Sequence, residues 1–138
     1  MKRFFLGVVC CCWAAFAPAA TSIPAALVGI WAAEHAEFNG DALMKGQALY
    51  LDANGFGASV GGNGKTVIGI RLVVSSYDKK TNTLSLGMME DNKVLGYLKA
   101  TYDPVEKVIL FSDQRFMRRS EHLSPEIKKS LGPPAKRK

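Results

Sequence analysis

The residues best suited to metal binding or acid–base chemistry form one short cluster, Glu34, His35 and Glu37. Alternate residues of a strand point to opposite faces, so His35 and Glu37 would share a face while Glu34 points away. His122 is the only other histidine, and a zinc site would therefore need carboxylates from distant segments. We interpret the cluster as surface polar residues, and we predict neither a metal site nor a cofactor.

Two short motifs resemble binding loops but lack residues that those loops require. Gly64-Lys65-Thr66 resembles the end of a phosphate-binding loop, yet Ser59 stands where the motif needs glycine, and a strand pattern follows instead of a helix. Asp52-Ala53-Asn54-Gly55 resembles a calcium loop, yet Phe56 and Asn63 occupy positions that need ligands of another kind. Asn-Gly is typical of a tight β-hairpin, which explains the second motif fully.

Nucleophilic catalysis also lacks the residues it needs. No Gly-x-Ser-x-Gly motif occurs, and two histidines leave few places for a catalytic triad. The three cysteines, Cys10, Cys11 and Cys12, lie in the N-terminal apolar segment and would be removed with it. We therefore predict that the protein is not an enzyme and that it has no catalytic residues.

The N-terminal segment has the organisation of a secretory signal peptide. Lys2 and Arg3 precede an uncharged apolar run, and Ala17 and Ala19 then supply small residues at the two positions that signal peptidase reads. We predict a signal peptide over residues 1–19 with cleavage after Ala19, or after Ala20 as second choice. The run is too short for a membrane span. Lipid attachment is the alternative, but Val9 is large for the position before a lipidated Cys10. The protein is thus predicted to be exported, either to a periplasm or by secretion.

Removal of residues 1–19 would leave 16 basic and 12 acidic residues, a net charge of +4. Such a mildly basic exported surface is suited to anionic lipid, polysaccharide or an acidic protein surface rather than to nucleic acid. The alternative, which we prefer, is that the basic end only makes the protein more soluble. Residues 133–138 are predicted to be a basic disordered tail. Much of the positive charge lies toward this end of the chain, at Arg115, Arg118, Arg119, Lys128, Lys129, Lys136, Arg137 and Lys138.

Apolar alternation with a period of two predicts strands along most of residues 20–132. Asp41–Lys45 could form one helical turn, and Gly61–Gly64 is predicted to be a mobile loop. Ser124, Pro125 and Gly132 are typical of the start and end of a helix. The predicted strands are residues 30–38, 47–51, 56–60, 66–77, 84–88, 94–102, 108–111 and 115–119.

Short turns between successive strands imply antiparallel neighbours. The predicted fold class is all-β: a small antiparallel up-and-down barrel or curled sandwich of about eight strands, with a short C-terminal helix. Ile68, Ile70, Leu72 and Val74 share one face of a strand, and this face predicts a filled core.

Gly29-Ile30-Trp31 precedes this β-meander, and the combination resembles the start of a bacterial lipocalin-like, or calycin-type, barrel. In that family the tryptophan plugs one end of the barrel and an arginine near the last strand stacks on it. The resemblance implies a structural plug of Gly29 and Trp31 with Arg115, Arg118 or Arg119. It also implies that residues 20–132 form one lipocalin-like β domain.

Two functions follow as hypotheses. The resemblance implies an exported small β-barrel binding module for an apolar small ligand or lipid. The alternative is a periplasmic or secreted protein-interaction factor, such as an inhibitor or immunity-like protein, with a filled core. Interior volume separates the two, and the mouth of the barrel is the predicted specific site.

Overall fold

A computed structural model describes residues 20–132. It contains a short 3-10 turn at Ala25–Leu27, nine strands and one helix, α1 (Pro125–Leu131). The strands are β1 (Gly29–Ala33), β2 (Glu37–Asn39), β3 (Ala42–Leu51), β4 (Phe56–Asn63), β5 (Val67–Asp78), β6 (Thr83–Glu90), β7 (Lys93–Asp103), β8 (Val108–Phe111) and β9 (Gln114–Ser120). The predicted signal peptide, its cleavage residues Ala17 and Ala19, and the predicted tail at 133–138 lie outside the described residues.

Eight of the strands close into an antiparallel barrel. From β3 to β9 each strand pairs with the next, and β1 pairs with both β9 and β3. The ninth strand, β2, pairs only with the first part of β3 and extends the sheet beyond the barrel. The predicted all-β fold with a C-terminal helix is confirmed, and the structure is a closed barrel rather than a sandwich.

The prediction of one strand over residues 30–38 is wrong. The backbone turns between β1 and β2, where the Ala36 amide donates to the Ala33 carbonyl at 3.2 Å and His35 has a φ of 70°. A left-handed residue cannot continue a strand, so β1 ends at Ala33. The turn residues Glu34 and His35 include neither glycine nor proline, so the sequence carries no strong turn signal there.

Two other local predictions are also wrong. Asp41–Lys45 contains no helical turn, because β3 begins at Ala42. Gly61 and Gly62, predicted to lie in a mobile loop, belong to β4 and pair with strands on both sides. The turn itself is shorter and begins after Asn63, whose side-chain oxygen accepts the amides of Lys65 and Thr66 at 2.8 Å. Neighbouring strands hold glycines that would not form a strand by themselves.

The barrel interior is packed with apolar side chains toward one end. Leu49, Leu51, Leu84 and Leu86 are fully buried there, together with Trp31 and Phe116. At this end the N-terminal arm also joins the sheet, since the Thr21 amide donates to the Val74 carbonyl at 2.8 Å. We call it the closed end.

A second apolar cluster lies on the outside of the barrel, where α1 covers β3 and β4. Leu123 and Leu131 are buried against Leu43, Ala48 and Tyr50. The Ser124 hydroxyl accepts the Ile127 amide at 3.3 Å and caps the first turn, as the sequence predicts. At the other end, the Arg71 guanidinium donates to the Leu131 carbonyl at 2.9 Å and to the Gly132 carbonyl. Strand β5 thus fixes the last turn of the helix.

Candidate functional site

At the closed end, an arginine lies against the ring of Trp31. Trp31 is 1% exposed, and its indole N–H donates to the Leu27 carbonyl at 3.0 Å. The guanidinium carbon of Arg118 lies 5.6 Å from the ring centroid, within the range of a cation–π contact. Arg118 also donates to the Val28 carbonyl at 3.1 Å and to the Ala25 carbonyl at 2.7 Å. One side chain therefore joins β9 to the segment before β1.

Of the other residues of the predicted plug, one lies at the closed end and two lie elsewhere on the barrel. Gly29 belongs to it: its φ is +134°, and a Cβ there would overlap the Ser120 carbonyl oxygen. Arg119 lies instead over the ring of Phe38, 4.2 Å from its centroid. Arg115 is exposed, with a guanidinium nitrogen 3.5 Å from the Glu106 carboxylate. The structure thus brings together Gly29, Trp31 and Arg118 but places Arg115 and Arg119 elsewhere.

The opposite end of the barrel is open because its strands differ in length. Strand β1 stops at Ala33, β8 stops at Phe111, and β9 begins at Gln114. Strand β8 pairs with β7 only over residues 100–103, so residues 93–99 of β7 extend past it. Strands β2 to β7 therefore form a curved, incompletely closed sheet at this end. We call it the open end.

Isoleucines that point into the barrel are exposed at the open end. Ile68, Ile70, Leu72 and Val74 alternate on one face of β5, and the face is continuous because the register shift lies beyond Val74. Leu72 and Val74 are 2% and 0% exposed, whereas Ile70 and Ile68 are 45% and 71% exposed. The filled core predicted from this face is therefore wrong for its first two members.

The exposure of the two isoleucines follows from the small residues opposite them on β4. Ser59 pairs with Ile70 and Gly61 pairs with Ile68. A Cβ built on Gly61 would have the Gly46 carbonyl oxygen as its nearest neighbour, at 3.9 Å, so this space holds no side chain. Partly buried side chains of Met88 and Leu98 pack against the core from β6 and β7 on the same inward face. We call the region lined by Ile68, Ile70, Met88 and Leu98 the open cup.

Two solvent-open depressions lie beside the turn between β8 and β9. The first, of about 500 Å³, is lined by residues that include Leu98, Lys99 and Phe111. The second, of about 600 Å³, includes Glu34, His35 and Met117. Both include Asp113, Gln114 and Arg115. The rim of the open end is thus grooved and carries charges of both signs.

The polar cluster singled out from the sequence lies on this rim. His35 Nε2 is 3.9 Å from a Glu34 carboxylate oxygen, and both side chains are almost fully exposed. Within residues 20–132, no three histidine, cysteine, aspartate or glutamate side chains lie close enough together to hold a metal ion. In the same part of the chain, no helix has the length and apolarity needed to cross a membrane.

Comparison of the chain with protein-family models, curated proteins and solved structures gives no match. The closed eight-stranded barrel with its C-terminal helix is compatible with a lipocalin-like fold. Function must therefore be argued from the geometry of this chain.

Apolar periodicity alone does not predict the open cup, although the sequence contains a signal for it. Gly61 and Gly62 face Ile68 and Val67 across the hairpin between β4 and β5. Glycines paired with large apolar residues leave those residues without a covering side chain. That pairing becomes visible only when the glycines are assigned to a strand rather than to a loop.

Proposed function

We propose that this protein is an exported small binding module that holds the apolar part of a small molecule, or the acyl chain of a lipid, in the open cup. One observation carries the proposal: Ile68 is 71% exposed on the same inward face on which Leu72 is 2% exposed. A large inward-pointing apolar side chain left in water contributes no burial energy to the fold. An apolar ligand would cover it.

The size of the apolar contact limits the class of ligand. Full burial of an isoleucine side chain is worth about 1.5–3 kcal/mol, so covering the exposed parts of Ile68 and Ile70 supplies about 2–3 kcal/mol. Micromolar affinity requires about 8 kcal/mol. A suitable ligand must therefore be long enough to contact Met88 and Leu98 as well, which favours an extended hydrocarbon chain.

The role proposed for this chain is binding without catalysis. The open cup is lined mainly by apolar side chains, with Ser59 opposite Ile70. The rim carries exposed charges such as Asp113 on the turn between β8 and β9 and Arg115 near the start of β9. Exposed charges at a rim can orient a polar head group, but they are screened by salt and contribute little binding energy. Affinity would then come mainly from the cup and depend weakly on ionic strength.

Filling the cup with a side chain tests the proposal directly. Gly61→Leu would place an apolar side chain in the vacant space beside Ile68, because a Cβ there has no neighbour closer than 3.9 Å. Gly69→Leu is the matched control, since Gly69 is exposed on the outer face of the next strand and its Cβ would meet Val60 at an ordinary 3.4 Å. Binding is measured by displacement of anilinonaphthalene sulfonate with palmitate, and folding by circular dichroism.

We expect the wild-type protein and Gly69→Leu to bind palmitate alike, and Gly61→Leu to bind at least about tenfold more weakly, a loss of about 1.4 kcal/mol. Ile68→Ser should weaken binding similarly without adding bulk. If the wild-type protein does not bind the probe, or if the two glycine variants bind alike, the open cup is not the ligand site. The protein-interaction alternative, which needs only the filled closed end, would then be favoured.

A further inference from the structure

One edge of the curved sheet at the open end has no partner strand within the described chain. Residues 93–99 of β7 pair with β6 on one side, with a register shift at Leu95, but β8 begins to pair with β7 only at residue 100. An unpaired strand edge presents backbone N–H and C=O groups in the arrangement that another strand can use. The unpaired stretch is about as long as an average strand of five or six residues.

The side chains along this edge are apolar at its centre. Leu95 is 64% exposed and Tyr97 is 62% exposed. Val94, on the same strand, is half-buried, and its side chain and that of Tyr97 both approach Gly87 of β6: a Cβ on Gly87 would contact them at 3.2 and 3.5 Å. A strand added here would cover apolar side chains as well as pair with the backbone.

A lysine lies at each end of the edge, and Lys93 has Glu90 opposite it on β6. Lys93 and Lys99 are exposed, and neither takes part in an ion pair within residues 20–132. Arg115 joins Lys99 in lining the depression of about 500 Å³ next to the place where β8 ends. Asp113 is the acidic residue in that lining, so the balance of charge there is positive.

We propose that residues 93–99 of β7 accept an extended segment of another protein as an added strand, and that this segment has an apolar centre with an acidic residue at each end. Backbone pairing supplies part of the affinity, as in other complexes formed by strand addition. Leu95 and Tyr97 contribute apolar contacts. Lys93 and Lys99 select the acidic ends, because opposite charges on neighbouring strands attract and like charges repel.

The charge pattern also argues against a second copy of this chain as the occupant. Antiparallel pairing of two β7 edges around Gly96 would place Lys93 opposite Lys99 at both ends of the pair. Lysines at sheet edges commonly prevent such pairing. In this protein they would exclude the chain's own edge while favouring an acidic partner.

A synthetic peptide of sequence Glu-Thr-Val-Thr-Val-Thr-Glu is the probe, because pairing along residues 93–99 places its glutamates opposite the two lysines and its valines opposite Leu95 and Tyr97. Its binding is measured by calorimetry and by hydrogen exchange of the β7 amides. A peptide with lysine at both ends and a peptide with proline at its centre serve as controls. The variant Lys93→Glu/Lys99→Glu reverses both charges at the edge. Lys79→Glu/Lys80→Glu is its matched control, since these exposed lysines lie on the turn between β5 and β6, away from the edge.

We expect the acidic peptide to bind the wild-type protein and the Lys79→Glu/Lys80→Glu variant equally, and to protect amides within residues 93–99. The affinity of the acidic peptide for Lys93→Glu/Lys99→Glu should fall at least about tenfold. The lysine-ended peptide should bind that variant about as well as the acidic peptide binds the wild-type protein. The proline-centred peptide should not bind. Gly61→Leu, which fills the open cup, should leave peptide binding unchanged, so the two sites are tested independently.

Several outcomes would overturn the proposal. One is the absence of binding up to about 1 mM peptide, the limit of weak specific affinity. Another is protection of the β2 amides instead of the β7 amides when the peptide is added. A third is equal affinity of the acidic peptide for the wild-type protein and for Lys93→Glu/Lys99→Glu. Concentration-dependent protection of residues 93–99 without peptide, together with a dimer in analytical ultracentrifugation, would identify a second copy as the occupant.

Discussion

Trp31 connects the apolar interior of the closed end to the backbone of the N-terminal arm. Its indole N–H donates to Leu27, and its ring meets Tyr102 edge to face with centroids 6.0 Å apart. Emptying a large buried aromatic site costs about 3–5 kcal/mol. We expect Trp31→Ala to lower the free energy of unfolding by this amount in urea titrations. Trp31→Phe should cost less, and a loss below about 1 kcal/mol for Trp31→Ala would show that the site is not closed by this ring.

Arg118 and Arg115 are two arginines of β9 in contrasting surroundings, and they form a matched pair of substitutions. Arg118→Met removes the hydrogen bonds to Ala25 and Val28 and the contact with Trp31. Hydrogen bonds from charged donors are worth about 1.5–3 kcal/mol, so we expect a loss of about 2 kcal/mol. Arg115→Met removes one exposed ion pair and should cost less than about 1 kcal/mol. Equal losses would contradict the role of Arg118 at the closed end.

Tyr50 makes stability depend on pH in the alkaline range. Burial raises the pKa of its phenol above the ordinary 10.0; the Asp41 carboxylate adds to the increase, while the Leu43 amide and Arg119 oppose it. The unfolded chain therefore loses this proton first as pH rises. Stability is constant below pH 10 as far as this group is concerned, and it falls above that pH.

Tyr50→Phe removes this titration together with the hydrogen bond to the Asp41 carbonyl, 2.6 Å long. We expect the variant to be less stable at neutral pH but to lose stability less steeply than the wild-type protein above pH 10. Urea titrations at several pH values measure both slopes, and every other ionisable group is common to both proteins. Parallel slopes would contradict the burial of the phenol.

At the scale of elements, α1 depends on a contact from β5. Arg71 donates to the last two carbonyls of the helix region, at Leu131 and Gly132. Arg71→Met should raise hydrogen exchange of the α1 amides about tenfold, equivalent to about 1.4 kcal/mol, while the amides of the barrel change little. Lys79→Met is the control, because it removes one positive charge from an exposed turn. If hydrogen exchange of the barrel amides accelerates as much as that of the α1 amides, the helix does not open separately from the barrel.

The sequence predicts most of the elements because alternation, turns and helix capping are local properties. The hairpin at Asn54-Gly55 forms where the dipeptide predicts it, with the Gly55 amide donating to the Asp52 carbonyl. Closure between β1 and β3 could not be predicted, since β3 changes partner from β2 to β1 along its length. The same limit applies to the open cup, because the exposure of Ile68 depends on which neighbouring strands stop short.

At the scale of the whole molecule, the proposed export processing would cut the chain next to a residue that is hydrogen-bonded to the barrel. Thr21 donates its amide to Val74 and its hydroxyl to the Ser75 carbonyl at 3.0 Å. We predict that the protein recovered from its own compartment begins at Ala20 or Thr21, as measured by N-terminal sequencing and intact mass. Ala19→Arg should block the cleavage, whereas Ala14→Leu should not. An intact Met1 or a lipidated cysteine would contradict the prediction.

The pairing of β1 with β9 also has a consequence during synthesis. Every other pair in the barrel joins strands close in sequence, so hairpins from β3 onward can form as the chain emerges. Strand β1 can pair with β3 early, but its other edge has no partner until residues 114–120 of β9 have been synthesised. At about 5–20 residues per second, the roughly 70 residues between Leu51 and Ser120 take about 4–14 s to be made. Throughout that interval the nascent barrel has an open seam beside Trp31, and a ribosome stalled before residue 114 should display a protease-sensitive β1.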